Sequence, residues 1–383
     1  MALPLPTIES VKDCASFSHT VLPFLSQLTV LPERLQLAAT AKDVVILKDI
    51  YLSTNPFVSA LGFSLLLSAW FLVFSEITRN YSQVDRLWSL LPALYNVHFA
   101  VWARMSGLRT QSLDTIAVLT VIWSIRLTYN YWRKGGYKIG GEDYRWEVIR
   151  TRIPNRAVFF LFNITFISVI QSLLLLLLAA PTYNFVLLSQ RPDLKSFELP
   201  DLAFSRVAFF FLIIEFFADQ QQWHFHCAKR EYHDNARISG QYKDQFTQED
   251  LERGFAVTGL WSLSRHPNFV AEQAIWLSLY LWNCYRTESF VQWTGLGFVG
   301  LFFIFQGSVR LTESISASKY PEYADYQARV GRFIPRLSVE SRSKYRAPTL
   351  KNKQFLQVEK KLPTEKKKQT EQASEDQENK KAQ

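Results

Sequence analysis

Apolar residues recur in runs of about 20 between residues 56 and 310, separated by short polar or strongly basic segments. A helix needs about 20 mainly apolar residues to cross about 30 Å of hydrocarbon. The pattern predicts seven spans, at about 56–78, 84–104, 112–132, 157–180, 201–223, 268–286 and 290–310. The fourth is plainest, with leucine at every position from Leu173 to Leu178. The expected fold class is therefore all-α, a polytopic membrane protein of about seven transmembrane helices. Residues 21–31 are apolar but too short to span and are interrupted by Pro23 and flanked by Pro32. This divides the chain into an N-terminal segment 1–54, partly interfacial, a seven-helix domain 55–336, and a polar segment 337–383 expected to be a disordered charged tail.

Charge then sets an orientation. The loop 133–156 holds seven Lys/Arg and the loop 228–267 holds six, whereas 181–199 has only Arg191 and Lys195. With seven spans both basic loops and the tail share one side, which the positive-inside rule makes cytosolic and which leaves the N-terminus lumenal. Of the formal charge of +9, the tail carries twelve Lys/Arg against seven Asp/Glu, or +5, so the excess describes a solvated extension rather than a nucleic-acid surface. Lys380-Lys381 near the end resembles a di-lysine retrieval signal, read only from the cytosol, and points to the endoplasmic reticulum membrane. Cys14, Cys227 and Cys284 are far apart and form neither a disulfide framework nor a zinc motif. The start lacks a basic region followed by a compact apolar core, so no cleaved signal peptide is expected.

The most informative stretch is 254–276. Arg265 and His266 are cationic donors, Pro267 suits the first helical position, and Asn268 opens an apolar helix. Asn268, Glu272 and Trp276 follow at intervals of four and share one helix face. An acid and an amide within a membrane helix need partners, which a polar cofactor would supply. Arg265 adds a bidentate phosphate donor near the helix start. A second cluster, Glu313 and then Lys319 to Tyr326, offers tyrosines at helical spacing, which suit a flat ring or an interfacial aromatic belt. Further clusters are Glu215 to Gln220, Asp85 to Trp88, and Arg126 through Gly135-Gly136 to Arg145. The glycines of the last do not follow a strand, which excludes a Rossmann phosphate loop. His224, His226 and Cys227 lack a second ligand pair, and no metal site is expected.

Taken in order, Asp85-x-x-Trp88, Arg126-Leu127, Gly141-Glu142-Asp143-Tyr144-Arg145, Ala218-Asp219-x-Gln221, Gly259-Leu260-Trp261, Ser264 to Phe269, Lys319-Tyr320-Pro321-x-Tyr323-x-x-Tyr326 and Ile334-Pro335 resemble the steroid 5-alpha-reductase-like membrane family, in its uncharacterised reductase-like branch. The resemblance implies a seven-helix fold and an NADPH held by Arg126, Arg133, Asp219, Arg265, His266, Asn268, Glu272, Trp276, Tyr323 and Tyr326. Steroid reductases polarise the substrate carbonyl with a Glu on the second helix and a Tyr on the third. Here the second helix offers Asp85, Trp123 falls near the expected Tyr, and Tyr129 lies further along, so Asp85 and Tyr129 are the acid candidates. The expected activity is NADPH-dependent reduction of a carbon–carbon double bond in a membrane lipid or sterol-like substrate. Two other readings stand beside it. One is S-adenosylmethionine-dependent lipid methylation, because membrane methyltransferases also carry an RHPxY-like element. The other is a non-catalytic lipid-binding protein on the same fold.

Overall fold

The computed structural model describes residues 3–334; the tail 337–383 with Lys380-Lys381, and Pro335 of the last motif, lie outside the described residues. The described residues are helical and contain no strand. In chain order the helices are α1 (Gln27–Ala41), α2 (Val44–Ser53), α3 (Pro56–Thr78), α4 (Gln83–Trp88), α5 (Leu91–Met105), α6 (Gln111–Arg133) and α7 (Tyr144–Arg152). They continue as α8 (Arg156–Leu188), α9 (Leu199–Asn235), α10 (Gln248–Arg253), α11 (Pro267–Thr287), α12 (Leu296–Lys319) and α13 (Tyr323–Arg329). Three segments are long and apolar enough to cross a membrane: α3, α8, and Trp293–Lys319, which joins a short 3₁₀ turn to α12. They mark a membrane-type protein.

The first, fourth and seventh apolar stretches therefore emerge as such helices, though the seventh begins later because Phe290 and Val291 fall in a loop. The second stretch breaks at Ser89–Leu90 into α4 and α5. The 15 residues of α5 are about 22 Å long, short of the hydrocarbon thickness. The remaining three form α6, α9 and α11. Inside α8, residues Asn163–Ile170 widen into a π-helical turn.

The chain divides into two compact units. The first comprises residues up to Phe216 together with Asn268–Gly307. Its core is the C-terminal half of α8, where Leu174–Leu188 are nearly all buried. Where apolar side chains face apolar surroundings on every side, helix association relies on close packing and interhelical hydrogen bonds. Both are present. Gly297 lies so close to the Leu177 carbonyl that a Cβ would collide with backbone, which brings α12 hard against α8. Ser64 Oγ donates to the Ser172 carbonyl at 3.0 Å, and Asn163 Nδ2 donates to Ser75 and Glu76 at 2.9 and 2.8 Å. Helix α3 starts with Asn55 accepting from the Phe57 and Val58 amides, followed by Pro56 at its first position. Such a cap contributes about 1 kcal/mol. The same Asn55 donates to the Pro4 carbonyl and, at 2.8 Å, to the Tyr183 hydroxyl, which in turn donates to the Thr20 carbonyl. Residues 3–26 are thus tied into the unit, with Cys14 and Val21 fully buried. Beyond them, α1 and α2 keep the exposed apolar character expected of an interfacial segment, at Leu37, Val44 and Val45 for example.

The second unit comprises Phe217–Pro267 and the residues from Ser308 onward. Phe255, Val257, Tyr323, Tyr326 and Val330 form one small core and Phe225, Ala228, Phe246 and Leu251 another. Helix α10 opens with a capping box between Thr247 and Asp250 and closes at Gly254, whose φ of +88° is a conformation glycine adopts at little cost.

Candidate functional site

In the first unit, one face of α6 carries Trp123, Arg126 and Asn130, all buried, at spacings of three and four residues. One turn into α11, Glu272 and Trp276 stand four residues apart, and Trp276 Nε1 donates to Glu272 Oε1 at 2.8 Å. Trp123 Nε1 donates to the other carboxylate oxygen at 2.8 Å. The two indoles meet edge to face, 5.1 Å between centroids. Arg126 Nη2 lies 2.7 Å from Glu215 Oε1 of α9 and 3.4 Å from Glu272 Oε2. The three charged side chains are each only 5–6% exposed. Two carboxylates and an arginine set inside apolar helices require mutual partners, and the two tryptophans complete the set because an indole N–H can only donate. Asn268, half-buried, opens the same helix one turn before Glu272.

The acid candidates are placed differently. Tyr129 is half-exposed and belongs to the outer stripe of α6 formed by Val118, Ile122, Ile125 and Trp132, away from the face bearing Trp123 and Arg126. Its ring lies 5.3 Å from the Arg133 guanidinium, and Arg133 itself is half-buried. Asp85 accepts from Trp146 Nε1 at 2.8 Å. It lies outside the three long apolar helices. Burial pushes its carboxyl above the ordinary carboxylate range, while the charge of Arg145 and the Trp146 hydrogen bond pull it down. Around it, Asn80 Nδ2 and Arg86 Nη2 donate to the Gly141 carbonyl at 2.9 and 3.0 Å, and the Tyr81 amide donates to Glu142 at 2.8 Å. The Asp143 amide donates to Ser82 Oγ, and Arg145 makes a two-point pair with Asp143. The Gly141–Arg145 motif is thereby a fastener that pins a basic loop to the start of α4.

In the second unit Arg265 is the organising cation. Its Nε and Nη2 donate to Glu313 Oε1 and Oε2 at 2.8 and 3.3 Å, and its Nη1 donates to the carbonyls of Gln327, at 2.9 Å, and Val330. Four of the five N–H bonds of the guanidinium are therefore committed within the fold. The Arg265 amide donates to the Gly331 carbonyl and Ser264 Oγ to that of Arg332. His266 Nε2 contacts Glu313 Oε1 at 2.9 Å, and Gln327 and Arg332 also reach Glu313. The phosphate donor expected from the sequence thus serves as a clasp for the segment after α13. Tyr326 donates its hydroxyl to the Trp261 carbonyl, and Tyr323 packs edge to face on Phe255 at 5.0 Å. Burial pushes the Tyr323 hydroxyl up to about 12. Both tyrosines belong to the small core around Phe255. Asp219 is buried on α9, near Gln221, which accepts from the Leu260 amide at 2.9 Å. Among the described residues no group of three or more His, Cys, Asp or Glu could hold a metal ion, and His224 and His226 are both exposed.

Three side chains central to these clusters were not among the expected contact residues: Trp123, Glu215 and Glu313. Glu215 carried a readable signal, since a carboxylate amid Phe209–Phe217 demands a cation. Trp123 and Glu313 acquire their meaning only through partners 149 and 48 residues away.

Residues 70–330 match the family described as a protein of unknown function, DUF1295. The chain belongs to this family. It is also 41% identical over 337 residues to the uncharacterised protein C594.04c of Schizosaccharomyces pombe, an alignment covering 88% of this chain and 94% of that relative. No solved structure matches the chain. The family match begins before Asp85 and ends beyond Tyr326, so both clusters lie within it.

Proposed function

We propose that this DUF1295 protein is a membrane-embedded reductase of the steroid 5-alpha-reductase-like group, reducing a carbon–carbon double bond in a lipid or sterol-like substrate with NADPH. The observation that carries the reading is the buried set Trp123, Arg126, Glu215, Glu272 and Trp276. Five polar or charged side chains converging inside apolar helices are costly to keep for packing alone, and such groups mark sites of chemistry. The set fits part of a nicotinamide dinucleotide. Glu272 and Asn268, one turn apart, would hold a carboxamide, and Arg133 would meet a phosphate. When bound, the cofactor supplies hydride. The protein's share is to exclude water and to hold a proton for the developing enolate. With Tyr129 on the outer stripe and Asp85 engaged by Trp146, the proton would be carried by the carboxylate pair Glu215 and Glu272, which share the one cation Arg126. In this reading seven helices span the endoplasmic reticulum membrane, the N-terminus is lumenal, and the basic loops and tail are cytosolic.

The test is titration of NADPH, NADH and S-adenosylmethionine into the purified full chain in nanodiscs, followed by tryptophan fluorescence. Saturable binding of NADPH, weakened at least tenfold in Glu272→Gln, is the expected result. Preference for S-adenosylmethionine would replace reduction by methyl transfer. No binding to folded protein would leave a non-catalytic lipid-binding protein.

A further inference from the structure

Helices α3 and α8 lie side by side, with the end of one level with the start of the other. Asn163, two turns into α8, donates to Ser75 and Glu76 on the last turn of α3, and Phe159 meets Tyr81 edge to face at 4.8 Å. The end of α3 and the start of α8 therefore share one face of the membrane. At 33 residues α8 is about 50 Å long, somewhat more than a bilayer with its headgroup layers, so its first turn stands at headgroup level.

A basic platform is fastened at that level. Residues 76–86 and 133–156 hold nine Lys/Arg against five Asp/Glu, an excess of four positive charges. Three of the acids are engaged in pairs: Glu76 with Arg79, Glu142 with Arg150 and Asp143 with Arg145. Arg150 also donates to the Arg79 carbonyl, and its guanidinium lies 5.6 Å from the Tyr81 ring, which ties α7 to the end of α3. Ile149 and Ile153 turn inward against the core, which leaves Tyr144, Glu147, Thr151 and Arg152 on the outer side of α7. Lys138, Arg152 and Arg156 are exposed, and no hydrogen bond or ion pair among the described residues engages their side-chain charges. Arg156 opens α8 with no acidic residue in the first turn, at a helix end whose dipole itself favours an anion. The exposed Ile139 and Tyr144, one apolar and one amphipathic, suit the boundary between headgroups and acyl chains.

We propose that this platform binds anionic phospholipids of the leaflet it faces, with Lys138, Arg152 and Arg156 meeting the headgroup charges. A cation held near an anionic leaflet contributes about a factor of five in binding, and one headgroup meets one or two of the three. The proposal does not rest on the reductase reading, because none of these three cations is assigned to the cofactor or to the proton.

The test uses the purified full chain in detergent with equal concentrations of phosphatidylserine and phosphatidylcholine, read by native mass spectrometry. The two lipids share a phosphate and differ in net charge. Retention of phosphatidylserine about tenfold over phosphatidylcholine is expected. Replacing Lys138, Arg152 and Arg156 together by glutamine should bring the ratio close to one, with melting temperature unchanged because all three are exposed. The charge-keeping set Lys138→Arg, Arg152→Lys and Arg156→Lys should retain the preference. Replacing Arg230, Arg237 and Lys243, three exposed cations of the second unit, by glutamine should leave the ratio within about twofold. Equal retention of both lipids by the wild type, or an equal loss in the two neutralised sets, would overturn the proposal.

Discussion

Replacing Arg265 by alanine separates a structural clasp from a cofactor contact. The guanidinium and Glu313 are 7% and 4% exposed, and breaking a buried pair by removing one partner costs about 3–5 kcal/mol. The Gln327 and Val330 carbonyls lose their donor as well, each at about 1–3 kcal/mol if they stay buried. Against this, Glu313 keeps His266, Gln327 and Arg332, and an opened clasp lets water reach the carbonyls. A net loss of about 3 kcal/mol is the balance, confined to the segment that Arg265 holds. At about 1.4 kcal/mol per factor of ten, amide exchange across residues 323–333 should accelerate about 100-fold. Hydrogen–deuterium exchange of the full chain in nanodiscs reads this directly, with residues 171–188 as an internal reference expected to stay protected. Arg265→Lys keeps the charge but loses the planar fork, and should accelerate the same segment by about tenfold. Exchange unchanged in Arg265→Ala would refute the clasp and return the arginine to the ligand. Where exchange accelerates as expected, loss of NADPH binding in Arg265→Ala is a consequence of loosened structure.

Asp85 gives a pH signature. Its folded pKa is raised by burial against the opposing pull of Arg145 and Trp146, so its stabilising contribution is complete below about pH 3.9 and is lost as pH rises through the folded value. Between about pH 4 and pH 8 the melting temperature of Asp85→Asn should therefore fall less than that of the wild type, and an equal or steeper fall would contradict this. Tyr129→Phe removes a hydroxyl on the outer stripe of α6, and its stability should stay within about 0.5 kcal/mol of wild type with unaltered NADPH affinity. Once a substrate is in hand, a tenfold or greater loss of turnover in Tyr129→Phe would restore it as the acid.

The sequence disclosed most where the signal is local. The period and length of the apolar runs located α3, α8 and α12, and the i, i+4 spacing of Glu272 and Trp276 placed them on one face, where they share a hydrogen bond. The break between α4 and α5 was hidden because Ser89 and Leu90 interrupt an apolar run without a glycine, and Pro92 reads as readily as a first-turn residue as a breaker. Arg265 was legible as a buried cation but not in its partner, since an arginine fork fits a carboxylate and a phosphate equally well. Its carboxylate partner, Glu313 on α12, lies 48 residues away, which no local pattern shows. The tyrosines at 320, 323 and 326 show the same limit: helical spacing defines a face, and its packing against Phe255 depends on tertiary structure.

The distribution of committed donors bears on how any cofactor could be held. A guanidinium with four N–H bonds already engaged by a carboxylate and two carbonyls gains little from a phosphate. Each new contact requires an old one to break and leaves a buried acceptor without its donor. Glu272 is in the opposite position. Its two oxygens accept from Trp123, Trp276 and Arg126, yet a carboxylate offers about four lone-pair sites, so it can take a further donor without surrendering one. The acceptor side of the first unit's cluster is thus open to an amide N–H while the donor side of Arg265 is closed. A ligand that presents hydrogen-bond donors near an apolar ring meets the cluster's chemistry, and recognition of its phosphates falls to less committed cations. This asymmetry makes Glu272→Gln, which turns an acceptor-only group into one that also donates, a sharper probe of the proposed site than any alanine on the arginines.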